Sequence, residues 1–240
     1  MLLPDCRREH LEKRTMDVGV PFLVCVALIM ARTIAGEVEK SDVAFPLQFS
    51  AVVRIIAHLV PVESEYPPRE RVLKVDYDYT NKVARADVPK GFEAAKTYFR
   101  RYDEKQEYMV RPDPIGDCKR SYLGEVMPFP VIPDTTPAGE ETFDGVMCNH
   151  YVHMDHDTRL DVYMDKSSGA PVRLVQSSLD SMDGTDQNYS PVLSYMYSDV
   201  QLGAPNIDNF DLPSPYTYTS CDNQVGGFPY LHIFHYFVRF

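Results

Sequence analysis

The sequence predicts a mostly β chain: a curved antiparallel sheet or half-barrel, with a Pro-rich crossing segment and an apolar C-terminal tail. Three observations predict it. Residues 143–176, FDGVMCNHYVHMDHDTRLDVYMDKSSGAPVRLVQ, hold three alternating runs separated by short turn-forming stretches. Residues 45–60, FPLQFSAVVRIIAHLV, put Leu47, Phe49, Ala51, Val53, Ile55, Ala57 and Leu59 on one parity, against Gln48, Ser50, Arg54 and His58. Sixteen Tyr and twelve Phe with no Trp suit a β-rich chain. Successive side chains of a strand point to opposite faces, so a period of two means one dry face and one wet face.

Taken in order, residues 1–35 read as a secretory signal. Arg7, Arg8, Lys13 and Arg14 precede the apolar run VGVPFLVCVALIMA at 18–31, and Thr33 and Ala35 supply small residues before a cleavage point. The run is shorter than the ~20 residues of a membrane span. Because the basic flank is long for a signal, Met16 is an alternative start; an uncleaved anchor is the competing reading. One β domain is expected over 36–225. Its first strand, within 45–60, is long enough that it must bend. Residues 71–79 alternate Leu73, Val75, Tyr77 and Tyr79 with Lys74, Asp76 and Asp78. Thr80-Asn81 turns the chain, and 82–88 returns with Ala84, Ala86 and Val88 opposite Arg85 and Asp87. Residues 92–101 suit either a short helix or a strand with Tyr98, Arg100 and Tyr102 on one parity. Residues 106–110 form another strand.

Proline dominates 111–141, at 112, 114, 128, 130, 133 and 137. Residues lacking an N–H do not belong inside a sheet, so the whole stretch reads as a crossing segment over the open mouth of the sheet, with one helical turn near 118–123. In the central meander, Val146, Cys148, His150, Val152 and Met154 share one parity, as do Leu160, Val162 and Met164. Val172 and Leu174 face one way and Arg173 the other. This places Cys148 on the core face. Residues 177–190 are polar, 192–202 form a strand, and 204–215 form a loop. The tail, 226–240, GGFPYLHIFHYFVRF, either docks on the sheet or marks a chain that continues.

The formal net charge of -11 argues against nucleic acid or an anionic membrane surface as the main partner, since both require a positive field. Removing a leader leaves Cys118, Cys148 and Cys221: one pair, of unassigned identity, plus one free or intermolecular thiol. Asn188-Tyr189-Ser190 is an N-glycosylation sequon, with Pro191 directly after it working against its use. The chain is expected to be secreted, extracellular or in an endomembrane lumen. His150, His153 and His156 do not converge from one strand face, so no metal site is expected. Asp180, Asp183 and Asp186 around Gly184 lack EF-hand spacing, which leaves calcium as a weak alternative only. No nucleophile elbow, Cys-protease context or phosphate-cradling loop is present, and no cofactor or enzymatic activity is expected.

The sequence also resembles a known family. A leader and long first strand precede YDYTNKVARADV at 77–88, RRYDEKQEYMV at 100–110, Cys118 and GVMCNHYVH at 145–153. RLDVYMDKSSGAPVRL at 159–174 and FDLPSPY at 210–216 then lead to Cys221. This order resembles the ependymin-related proteins, which are similar in turn to bacterial lipoprotein carriers of the LolA type. The likeness covers roughly 45–221. It implies a half-barrel that holds a hydrophobic small molecule or lipid in its concave face, on a secreted, calcium-associated glycoprotein. Those proteins carry more cysteines than this chain, and no calcium ligand can be matched. The region is also similar to the non-catalytic N-terminal portion of some protist papain-like proteases. The expected apolar ligand face is Phe49, Val53, Ile55, Leu73, Val75, Tyr77, Val162, Met164 and Leu174. The alternative is a protein-interaction or prodomain-like module that meets a partner through its tail.

Overall fold

Hairpin follows hairpin along the chain, and the two resulting meanders meet in the middle of one sheet. The computed structural model describes residues 40–64, 67–89, 95–111, 116–180 and 188–228. These belong to the second of two compact units, Glu39–Phe240. The first meander is β2 (Gln48–Ala57), β3 (Glu70–Asp78), β4 (Val83–Val88), β5 (Lys96–Arg101), β6 (Gln106–Arg111) and β7 (Asp117–Tyr122). The second is β8 (Val131–Phe143), β9 (Val146–Asp155), β10 (Thr158–Asp165), β11 (Pro171–Leu179) and β12 (Tyr189–Leu202). β12 pairs with β2. β1 (Ser41–Ala44) flanks β8, and the short β13 (Asp222–Asn223) runs parallel to β7, giving the order β1-β8-β9-β10-β11-β12-β2-β3-β4-β5-β6-β7-β13. Strand twist curls a sheet of this width, and the sheet stays unclosed. No α-helix occurs among the described residues; Ile207–Phe210 is a single 3-10 turn.

The concave face carries the main core. Phe49, Ala51, Val53 and Ile55 of β2 lie beside Leu73, Val75 and Tyr77 of β3, and Ala84, Ala86 and Val88 of β4 extend the row. Leu160, Val162 and Met164 of β10 and Leu174 of β11 complete it from the other meander. Period-two patterning thus gave the correct face for β2, β3, β4 and β10. The β8–β9 turn is Asp144-Gly145, both at positive φ, the combination that a two-residue hairpin loop requires.

The structure revises several expectations. Residues 118–123 form no helical turn, because Asp117–Tyr122 is strand β7. The Pro-rich stretch is not one crossing segment: residues 131–143 are β8, and the crossing shrinks to residues 123–130. β8 tolerates its prolines because it pairs with one neighbour at a time, with β1 up to Thr135 and with β9 from Thr136. Pro133 and Asp134 together face only Asp42 of β1, where the register shifts, and Pro137 borders a second irregularity within β8, before Gly139. The first long run is shorter than its pattern, with Phe45 before β2 and Leu59 after it. Lys96–Arg101 is a strand rather than a helix; residues 90–94 lie outside the described set. In β9 the parity is reversed. Val162 pairs with Tyr151, so Tyr151 joins the concave cluster while Cys148 packs on the convex side with Tyr163 and Val175. Val172 also packs there, because an irregularity between Tyr163 and Met164 shifts the β10–β11 register. The leader, Asp183, Asp186 and residues 229–240 of the tail lie outside the described residues.

Candidate ligand-binding face and polar cleft

The structure brings the nine expected apolar residues together. Phe49, Val53, Ile55, Leu73, Val75, Tyr77, Val162, Met164 and Leu174 all belong to one concave cluster, and none is more than 5% exposed. The face is therefore packed. Part of its cover is the connection from β7 to β8, which must travel between strands near opposite edges of the sheet. We call residues 123–130 the strap. The Leu123 N–H donates to the Lys105 carbonyl at 2.9 Å, and the Phe45 N–H donates to the Pro130 carbonyl at 2.8 Å. Between them the buried Tyr77 hydroxyl donates to the Pro128 carbonyl at 2.8 Å, and Phe129 meets the edge of Tyr79 with ring centroids 5.2 Å apart. Leu123 and Met127 point into the core, while Val126 and Phe129 are exposed. Desolvation pushes the Tyr77 hydroxyl pKa far above its ordinary value, so it stays a donor to the strap.

At β5 the concave face changes character. Cross-strand pairing runs Phe49, Tyr77, Ala84, Arg100, Glu107, Ser121 along one row. Its first three members are apolar, and the last three form a buried polar end. Arg100 Nη1 donates to Glu125 Oε1 of the strap at 3.0 Å and to the Tyr102 hydroxyl at 3.3 Å. Its Nη2 stands 3.6 Å from Glu107 Oε2. Glu107 Oε1 accepts the Phe228 N–H at 2.9 Å. Burial would lower the Arg100 pKa, but Tyr102, Glu107 and Glu125 together hold it above the usual value. Burial pushes the Glu107 carboxyl up, and neither the Phe228 N–H nor Arg100 fully offsets it.

A cleft of about 1010 Å³ opens on this polar end, between residues 120–125 and 223–228. Leu123 and Phe228 line it and also belong to the apolar cluster. Tyr122 and Val225, both exposed, form part of its rim. The disulfide Cys118–Cys221 ties the segment carrying one wall to β7. Gly227 passes so close to Glu107 that a Cβ there would lie 3.0 Å from Oε1. Two further clefts, of about 420 and 460 Å³, lie beside Pro213–Tyr216 and beside Asp199. None of the three is lined by any of the nine apolar residues.

Sequence reasoning missed Arg100, Glu107, Ser121 and Glu125 as a group. They sit on three strands and the strap, and only the register unites them. The available signal was Arg100 sharing the parity of Tyr98 and Tyr102. Of the cysteine candidates, Cys118 and Cys221 pair, while Cys148 is free and buried, with its thiol pushed up by burial; that makes it a poor nucleophile. His150 Nε2 is 2.7 Å from Asp161 Oδ1 and stacks on Tyr163. The His153 ring meets the Pro133 carbonyl, and His156 stands exposed in the β9–β10 turn. The three histidines do not converge, and no group of three or more metal-ligating side chains occurs among the described residues. Asn188 is exposed, directly before β12. Asp180 accepts from the Ser190 hydroxyl at 2.5 Å.

No family model and no curated protein matches the chain. Solved structures do resemble it in chain path. An uncharacterized conserved protein from Thermus thermophilus aligns with a TM-score of 0.47 at 12% identity, covering 83% of this chain and 98% of that one. A putative outer membrane lipoprotein-sorting protein domain from Vibrio parahaemolyticus aligns at 0.29 and 10% identity, covering 76% and 94%. A DUF1329 family protein from Desulfovibrio piger gives 0.31 and 12%, covering 78% and 95%. Scores of this size carry no functional argument, and the ependymin likeness rests on the sequence motifs.

Proposed function

We propose that this chain binds a hydrophobic, lipid-like molecule on the concave face of its sheet, without catalysing a reaction, in an extracytoplasmic compartment. The observation that carries the reading is the strap. Part of the apolar face of an open sheet is covered by residues 123–130, a segment with no regular hydrogen-bonded structure of its own. Such a cover is held by a few polar anchors and by buried Leu123 and Met127, so a ligand of similar apolar area can displace it. The nine face residues, from Phe49 to Leu174, would then contact the ligand. The Cys118–Cys221 pair and the sequon at Asn188 support an oxidising compartment.

A second reading, a protein-interaction module, is favoured by one observation: the nine face residues are already fully packed. Native mass spectrometry of the full chain from secreting eukaryotic cells, followed by organic extraction, separates the two. An adduct of lipid mass, recovered on extraction and lost in a folded Val75→Gln variant that puts a polar group on the face itself, is the expected result. A clean, ligand-free mass overturns the carrier reading in favour of the interaction module.

A further inference from the structure

Among the described residues, the buried polar end of the concave face carries an imbalance of charge. Two carboxylates, Glu107 and Glu125, face one guanidinium, that of Arg100. Arg100 sits against Glu125 at 3.0 Å but only within 3.6 Å of Glu107. A carboxylate removed from water and incompletely paired is costly, and Glu107 shows it by holding its proton more tightly than a free carboxyl. Ser121, directly opposite Glu107 in the β6–β7 ladder, is more than nine-tenths buried and lines the cleft. Its hydroxyl has no side-chain hydrogen bond among the described residues. Arg120, the cation on the rim, is engaged by Asn223 Oδ1 at 2.8 Å and the Tyr218 carbonyl at 3.3 Å.

We propose that the cleft receives the primary ammonium head of an amphiphilic amine, with Glu107, Glu125 and Ser121 as its acceptors and its apolar chain leaving over Leu123 and Phe228. An ammonium carries three donors and no acceptor. Glu107, Glu125 and the Ser121 hydroxyl offer acceptor atoms around the same cleft floor. A guanidinium-rich or anionic head does not fit this inventory: the first would duplicate Arg100, and the second would face two carboxylates. Leu123 and Phe228 belong to both the cleft and the apolar cluster, so a head bound here has its chain delivered to the concave face. The overall charge of -11 favours the approach of a cation. The proposal rests on the reading of that face as a hydrophobic-ligand surface.

The test uses three probes of one chain length: dodecylammonium, dodecanoate and dodecanol. Each is titrated calorimetrically into the full chain at neutral pH, below its self-assembly concentration. Dodecylammonium is expected to bind about tenfold or more tighter than the other two, the scale of a hydrogen bond to a charged group. Glu125→Gln and Ser121→Ala should each bring the ratio of dodecylammonium to dodecanol affinity toward one. These variants serve in place of Glu107→Gln, whose buried site could disturb folding. Equal binding of all three probes, or a preference for dodecanoate, overturns the ammonium site and leaves the hydrophobic surface standing. A preference that survives both substitutions overturns its location. Failure of all three probes to bind overturns the surface and the head site together.

Discussion

The two ends of the concave face solve burial in opposite ways. From β2 to β4, and across β10 and β11, Val53, Val75, Val162 and Leu174 are buried against one another, and each needs only a neighbour of suitable shape. From β5 to β7, the same row of the sheet buries Arg100, Glu107 and Ser121, whose stability depends on specific partners. Apolar burial is non-directional and graded with area. Buried ionic groups are directional and all-or-none, because removing one partner strands the other. The apolar end should therefore fail gradually, and the polar end abruptly.

The largest expected effect is at the polar end. Arg100→Met leaves Glu107 and Glu125 facing each other without their cation, and should cost about 3–5 kcal/mol in urea unfolding. The Arg100→Met, Glu107→Leu double variant should recover part of that loss. If the single variant costs under about 1 kcal/mol, the two ends do not differ as described. Next comes Leu174→Ala in the apolar end, expected to cost about 2–5 kcal/mol depending on how far the site collapses, with no rescue by any single partner. Tyr77→Phe is smaller. It leaves the ring in the core but deletes the hydrogen bond to the Pro128 carbonyl, costing about 1 kcal/mol and raising proteolytic susceptibility at the strap.

The smallest effect is in pH dependence. Glu107 keeps its proton to higher pH in the folded chain than the ordinary 4.5. Between 4.5 and the raised value the folded state binds more protons than the unfolded state, so stability falls as pH rises through that interval. Glu107→Gln should flatten that part of the stability curve by at most about 1.4 kcal/mol per pH unit. An unchanged slope would show that Glu107 titrates normally.

The same contrast explains what could be read in advance. The faces of β2, β3, β4 and β10 were legible because each sets a parity of apolar residues against a parity rich in polar and charged ones, even where the latter, as with Asp76, Asp78 and Asp161, are buried on the other face. β7, DCKRSY, was not: near the sheet edge it buries only Cys118 and Ser121, too little to make a pattern. β8 was hidden by Pro133 and Pro137, which argue against a strand unless one knows that its two halves pair with different neighbours. Cys148 was put on the wrong side because β9 has apolar residues on both parities, and only the ladder to β10 decides between them. The nine apolar residues could be named individually and did come together. The cleft could not be named, since Arg100, Glu107 and Ser121 lie in three separate stretches that only strand order makes neighbours.

The disulfide has one more consequence. Cys118 and Cys221 are 103 residues apart, and the stretch between them contains the strap and all of β8 to β12. That half of the sheet is a covalent ring, while β2 to β6 form an open segment outside it that hydrogen-bonds to the ring at both ends, β2 to β12 and β6 to β7. A single backbone cut inside the ring therefore releases nothing. The nicked protein should run as one species without reductant and as two with it, whereas a cut in the β2–β3 loop, around Val62, should release a fragment held only by strand pairing.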